Sequence, residues 1–321
     1  MSSTSTAAAA AASSAAAGQD QVAVRAFAIR NKAKRHEVHA ARKAEKSAAR
    51  KERREKRKRE RDELGEAAPA PQAPKTLDSM RMPDDTFVSA EDEEVARDEA
   101  SDEFAPYFDG SSVPKIMITT RPRPSKSIFP LISELMSVIP NSFFYKRGEY
   151  HLKEICGYAA KHGFTHLMVL NEARKAANML IVVHLPAGPT ACFKLTSTKL
   201  GYEIKGSGAT TDHQPELILN NFRTRLGHRV GRMLGSLFPH QPDFVGRNVV
   251  TFHNHRDFIF VRRHRYIFDD NGKRARLQEL GPRFTLKMRW LLADTFNTSQ
   301  GEYEWYFKRH RMEDSKKRFF L

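Results

Sequence analysis

Residues 248–292, NVVTFHNHRDFIFVRRHRYIFDDNGKRARLQELGPRFTLKMRWLL, constrain the fold of this chain more than any other stretch. They interleave aromatic and β-branched residues with Arg, Lys and His and show no helical period. In the last segment Phe284, Leu286, Met288 and Trp290 alternate with Thr285, Lys287 and Arg289. Side chains of a strand point in turn to opposite faces, so the first set can be buried while the second stays wet and cationic. A half-buried antiparallel sheet is expected. For this segment taken alone, an ordinary hairpin with a solvated polar face is the better account.

Upstream, strand and helix signals alternate. KIMITT (residues 115–120) reads as a strand, and Ser125 can cap a helix with Ile128, Phe129, Leu131, Ile132, Leu135, Met136 and Ile139 at helical spacing. A second helix is expected over 151–162, with Gly163 as its stop, and strands over 165–170, 178–185 and 191–196. GYEIKGSGATTDHQ reads as a loop. A long helix over 215–238 follows from Ile218, Phe222, Leu226, Val230 and Leu234 four apart, with Gly227, Gly231 and Gly235 permitting close packing. Strands near 248–252, 257–268, 274–280 and 283–292 complete the pattern, with a turn at Asn271-Gly272. Strand, helix and strands occur twice over. The fold class is α/β, with mixed and antiparallel sheets in two halves, about 114–213 and 214–294.

The net charge of +16 is uneven. Residues 25–61 hold 17 Lys/Arg against 5 Asp/Glu, and residues 62–113 hold 3 against 15, so these blocks cancel. Residues 114–321 hold 34 against 17, so the excess belongs to the part with a folding pattern. A basic domain points to a phosphate-rich partner more strongly than a basic tail does. The two cysteines, Cys156 and Cys192, sit among apolar neighbours and read as buried free thiols. The Ala-rich start lacks the basic and apolar regions of a signal peptide, and no apolar run approaches bilayer length. The chain is expected to be soluble and intracellular.

Residues 1–21 read as low-complexity and disordered, and 22–62 as a basic extension that is helical or disordered. Its KERREKRKRER cluster suits nuclear or nucleolar import. Residues 63–113 read as an acidic, Pro-rich linker or interaction tail without a core of its own, and 295–321 as a basic aromatic tail. That tail holds Tyr303, Trp305, Tyr306, Phe307, Phe319 and Phe320, which either dock on the domain or meet a protein partner.

Arg262, Arg263, His264 and Arg265 lie between apolar strand segments, so strand geometry puts cations on both faces. Such cations hold phosphates, and Tyr266 can stack on an unpaired base. Salt bridges to Asp257, Asp269 or Asp270 are the structural alternative. His253, His255 and Asp257 suggest a metal site but lack a denser ligand set, and a turn organised by Asn254 and Asp257 is preferred. Gly201, Gly206 and Gly208 lack the Lys-Ser/Thr ending of a phosphate-binding loop, and no catalytic motif is present. Neither cofactor, metal nor enzymatic activity is expected.

The segments GPTACFKLTS (188–197), NNFRTRLGHRVGRMLGSLFP (220–239), FVGRNVVTFHNHRDFIFVRRHRYIF (244–268) and LQELGPRFTLKMRWL (277–291) resemble the Brix-domain family. TTRPRPSKSIFPLISEL (119–135) fits it too, with RPRPS in place of the commoner arginine-aspartate-proline-serine. The resemblance implies a Brix domain over 114–294, made of two anticodon-binding-like halves. It implies a nuclear, nucleolar factor in large (60S) subunit assembly and rRNA processing. Its partners would be pre-ribosomal RNA and other assembly factors, including a dedicated protein partner. The family's RNA-binding stretch carries over as Arg276, Arg283, Lys287 and Arg289. With the strand cations this makes Arg262, Arg263, Arg265, Arg274, Arg276, Arg283, Lys287 and Arg289 the expected RNA contacts. Arg121, Arg123, Lys126, Arg229 and Arg232 are further RNA or partner candidates. A protein scaffold with little RNA contact is the competing reading. The face assignment also expects Lys287→Glu with Arg289→Glu to weaken RNA binding at nearly unchanged thermal stability.

Overall fold

The computed structural model describes residues 31–64, 76, 79–82, 84–89, 92–269, 272, 274–296, 301–312 and 318–321. The expected low-complexity start, Asn271 of the expected turn and residues 22–30 of the basic extension lie outside these. Two compact units are present, Met1–Pro74 and Lys75–Leu321. In the first, the basic segment forms helix α1 (Lys32–Leu64), started by Asn31, whose Oδ1 accepts from the Ala33 amide at 3.0 Å. Nearly all its side chains are exposed, as expected of a helix with no apolar stripe.

The second unit is built on an eleven-stranded sheet. Its first half contributes β1 (Ile116–Thr120), β2 (Ser142–Phe144), β3 (His166–Ala173), β4 (Ala176–His184) and β5 (Thr190–Lys199). The second contributes β6 (Glu216–Asn220), β7 (Asn248–His255), β8 (Phe258–Phe268), β9 (Ala275–Glu279) and β10 (Arg283–Leu292), and β11 (Tyr303–Tyr306) follows. The order is β2-β1-β3-β4-β5-β10-β8-β7-β6, with β9 beside β8 and β11 beside β10. Both halves repeat one topology. β1 and β3 are parallel with β4 and β5 antiparallel beyond them; β6 and β7 are parallel with β8 and β10 antiparallel beyond them.

The last strands of the two halves, β5 and β10, pair antiparallel, so a pseudo-twofold axis runs between them. The sequence carries the repeat: GPTACFKL at β5 and GPRFTLKM at β10, with Lys194 and Lys287 directly opposite each other. Each leading glycine touches the end of the other half's strand. A Cβ on Gly188 would lie 2.3 Å from the Ala293 carbonyl oxygen, and one on Gly281 2.5 Å from the Gly201 Cα. Only glycine fits such an approach, and both positions have positive φ.

Two apolar layers cover the sheet. On one face α4 (Phe129–Val138) and α6 (Arg225–Gly235) bury Leu131, Leu135, Val230 and Met233 against Ile118, Phe193, Val250, Val261 and Leu286. On the other face α5 (Leu152–Lys161) covers only the first half, burying Ile155 and Ala159 against Leu167, Val169, Ile181 and Cys192. Burial pushes the thiols of Cys156 and Cys192 up to about 11 and about 12, which makes them inert packing groups.

Four expectations need correction. The helix over 215–238 begins only at Arg225. Leu217 and Leu219 instead alternate inward on β6, paired with Val250 and Phe252, and the Thr224 hydroxyl caps α6 by accepting from the Gly227 amide at 2.9 Å. Trp290 does not share a face with Phe284, Leu286 and Met288. A bulge between Met288 and Trp290 pairs Trp290 with Cys192 and turns its ring to the α5 layer. Ser125 donates its hydroxyl to Glu172 and makes no side-chain cap.

The acidic segment, read as a linker or interaction tail without a core of its own, forms α2 (Glu93–Ser101) and α3 (Ala105–Phe108), with Phe104 and Tyr107 buried in the main core. Two aromatics among many carboxylates anchor a strap whose charges face α6. The aromatic tail docks on its own domain: β11 extends the sheet beside β10, and Phe319 and Leu321 are buried.

A candidate nucleic-acid interface

The cross-strand register assigns side chains to faces. Ile259, Val261 and Arg263 of β8 point to the helix-covered core, while Phe258, Phe260, Arg262, His264 and Tyr266 point away. Thr251, His253 and His255 of β7, Ile218 of β6, Thr285 and Lys287 of β10 and Lys194 of β5 share that outer face. In the first half the same face lies under α5 and is buried at Leu167, Val169, Ile181 and Cys192, while Lys194 on β5 stays exposed. Among the described residues no helix of this unit covers it in the second half, and there its side chains are partly or fully exposed, apart from the buried Val249 and Thr285. Ile218 is 47% and Phe258 39% exposed, while Phe268 at the end of β8 reaches 60%.

The expected RNA contacts divide on this frame. Arg262 lies over the Phe260 ring at 5.7 Å, and it shares Glu279 with Arg283 at 3.9 and 3.2 Å. One carboxylate between two guanidiniums leaves the cluster cationic. Arg274 and Arg276 are exposed on and beside β9, Arg276 lying 3.7 Å from Asp269. Arg289 sits at the bulge, 5.5 Å from the Phe307 ring. Lys287 is held between two rings, 5.0 Å from Phe258 and 4.6 Å from Phe307, beside the half-buried Asp257. It is partly structural. The expectation that reversing Lys287 leaves stability unchanged does not fit this packing.

Arg263 leaves the set. It is 1% exposed and donates to Ser137 Oγ at 3.2 Å and the Thr211 carbonyl at 3.1 Å. Strand alternation puts it on the core face, where burial pulls its pKa down. Arg265, on the same side, donates to the Ala209 carbonyl and Thr211 hydroxyl, each at 3.4 Å. Arg229 and Arg232 on α6 are neutralised by the acidic strap and tail. Arg232 binds Asp102 through two contacts of 2.6 Å, and Arg229 meets Glu103 at 2.7 Å and Glu304 at 3.0 Å. Arg121, Arg123 and Lys126 lie elsewhere, in and beside the loop that leaves β1.

Lys194, exposed and opposite Lys287, was missed by the sequence reading. The repeated Gly-Pro, four residues, Lys spacing would have found it. His253 and His255 stack at 6.3 Å on one face, but Asp257 turns away and accepts from the Phe320 and Leu321 amides at 2.7 and 2.9 Å. No group of three or more His, Cys, Asp or Glu side chains among the described residues could hold a metal ion. No described helix is long and apolar enough to cross a membrane.

The Brix domain family matches residues 122–290. A Brix domain-containing protein of Caenorhabditis elegans is 53% identical over 247 residues, which is 77% of this chain and 64% of that one, so the match spans just under two thirds of the worm protein. Ribosome production factor 1 of Danio rerio is 52% identical over 248 residues, 77% of this chain and 75% of that one. Among solved structures, a probable ribosomal biogenesis protein from Aeropyrum pernix K1 aligns at 17% identity and TM-score 0.42, over 55% of this chain and 96% of that one. With the domain matched across more than half its length and full-domain relatives above half identity, this chain belongs to the Brix domain family.

Proposed function

We propose that this chain is a non-catalytic ribosome biogenesis factor that holds pre-ribosomal RNA on the outer face of its second half-sheet. One observation carries the reading. The face buried under α5 in the first half is open in the second, where Arg262 and Arg283 lie beside the rings of Phe258, Phe260 and Tyr266, and Lys194 adjoins them from β5 across the seam between the halves. Cations interleaved with aromatics suit a ribose-phosphate chain with unpaired bases, because phosphates take the charge and bases stack on rings. Relatives named ribosome production factor 1 support a place in ribosome assembly; the reading puts the chain in the nucleus and nucleolus, on large-subunit (60S) precursors and beside other assembly factors. The scaffold alternative loses part of one support, since Phe319 and Leu321 of the tail are buried on the domain itself, while Tyr303 and Tyr306 stay exposed.

The test is a salt series of single-stranded RNA binding by the full chain and by Lys194→Glu with Arg262→Glu. Each single-strand phosphate contact contributes about 0.7 to the slope of log K against log salt, so the double variant should lower that slope by about 1.4. An unchanged slope and affinity would remove this face from the interface.

A further inference from the structure

The first half carries a second cationic feature, away from the open sheet face. The loop that leaves β1 (Arg121, Pro122, Arg123, Pro124) and the loop that leaves β2 (Lys146, Arg147, Gly148, Glu149) wall a cleft of about 780 Å³, floored by Phe129 at the start of α4. It opens at the carboxyl ends of the parallel strands β1 and β2, where crossover connections leave the loops apart. Four of its lining side chains are cationic and one, Glu149, is acidic. Glu172 lies behind Arg121 at 3.7 Å and is engaged by the Ser125 amide at 2.8 Å and by its hydroxyl. It therefore offsets Arg121 alone. Arg123 and Lys146 are exposed and make no ion pair with any described residue. Arg147 donates to the Tyr150 carbonyl at 3.1 Å, which fixes its loop.

We propose that this cleft binds one or two unpaired nucleotides of an RNA strand, with phosphates on Arg121, Arg123, Lys146 and Arg147 and a base against Phe129 and the flanking prolines. The proposal rests on the reading of the chain as an RNA-binding factor. Size and chemistry select the ligand together. A cleft of several hundred Å³ takes a nucleotide-sized group. An apolar floor under a cationic rim matches a base with its phosphate, whereas an acidic peptide would leave the floor idle. Duplex RNA is a poor fit, since its bases are stacked and paired. The chain would then hold RNA at two places, one in each half.

The experiment uses the full chain and a short fluorescent single-stranded oligouridine, read by anisotropy across a salt series. Arg123→Glu with Lys146→Glu is compared with Lys161→Glu plus Lys205→Glu, an equal charge change at exposed sites outside the cleft. Arg123→Gln with Lys146→Gln serves as the milder second variant, and thermal melts report folding. The cleft pair should weaken binding about tenfold and lower the salt slope by about 1.4, two phosphates at about 0.7 each, with the control pair near wild type. If cleft and control pairs behave alike while Lys194→Glu with Arg262→Glu still weakens binding, the cleft proposal falls and the RNA reading stands. An acidic protein segment as the true occupant would give that same result. If the wild-type chain shows no salt-dependent binding, both fall together.

Discussion

Phe104→Ala tests whether the acidic strap is part of the fold. The ring is 0% exposed, packed in the main core, edge-on to His184 at 5.3 Å and under the Arg229 guanidinium at 5.6 Å. Truncating a fully buried Phe costs about 3–5 kcal/mol, from lost transfer energy and the cavity left behind. Against a typical stability of about 5–15 kcal/mol, that is a large share. At about 2–4 °C per kcal/mol for a domain of this size, the melting point should drop by roughly 6–20 °C. Urea unfolding of the full chain, followed by near-ultraviolet circular dichroism, should show a lower midpoint at an unchanged slope. Asp98→Ala, at an exposed site on the same strap, should leave both unchanged. A loss below about 1 kcal/mol for Phe104→Ala would mean that residues 92–108 are not held in the core, and that composition alone described them correctly.

Lys287→Glu should destabilise the fold by about 1–3 kcal/mol, because it removes two cation–ring contacts and sets a carboxylate beside Asp257; unchanged denaturant unfolding would return Lys287 to the purely functional set. Stability should also fall as pH drops from about 6.5 toward 5. Burial holds His166 and His184 below the ordinary imidazole range, so the unfolded chain takes up protons that the folded chain excludes, at up to about 1.4 kcal/mol per group per pH unit. The stabilisation is fully present above pH 6.5 and lost below it, and midpoints that stay flat from pH 7 to 5 would contradict the buried pairing of His166 with Ser236 and His184 with Tyr107.

Much of the fold was legible because strand alternation and turn residues agreed along residues 114–200 and 248–292. The errors have physical causes. In 215–238, Leu217, Ile218 and Leu219 are consecutive and fit either period, and only the Thr224 cap separates strand β6 from helix α6. A bulge at Arg289 shifted the parity of β10 and moved Trp290 across the sheet, a tertiary effect invisible to period counting. Phe104 and Tyr107 were hidden by their acidic neighbours, so the neutralisation of Arg229 and Arg232 was hidden too. Arg263 was separable in principle, since it shares parity with Ile259 and Val261. The open face was not, because it follows from where α5 packs and where, among the described residues, no counterpart in this unit does.

Photocrosslinking of the full chain to single-stranded pre-ribosomal RNA, with peptides mapped by mass spectrometry, probes the open sheet face most directly. Adducts should concentrate on β8 and β10, at Phe258, Phe260 and Tyr266 and around Arg283, with a further set at β5 near Lys194. Adducts confined to α1, with these strands silent, would contradict the account.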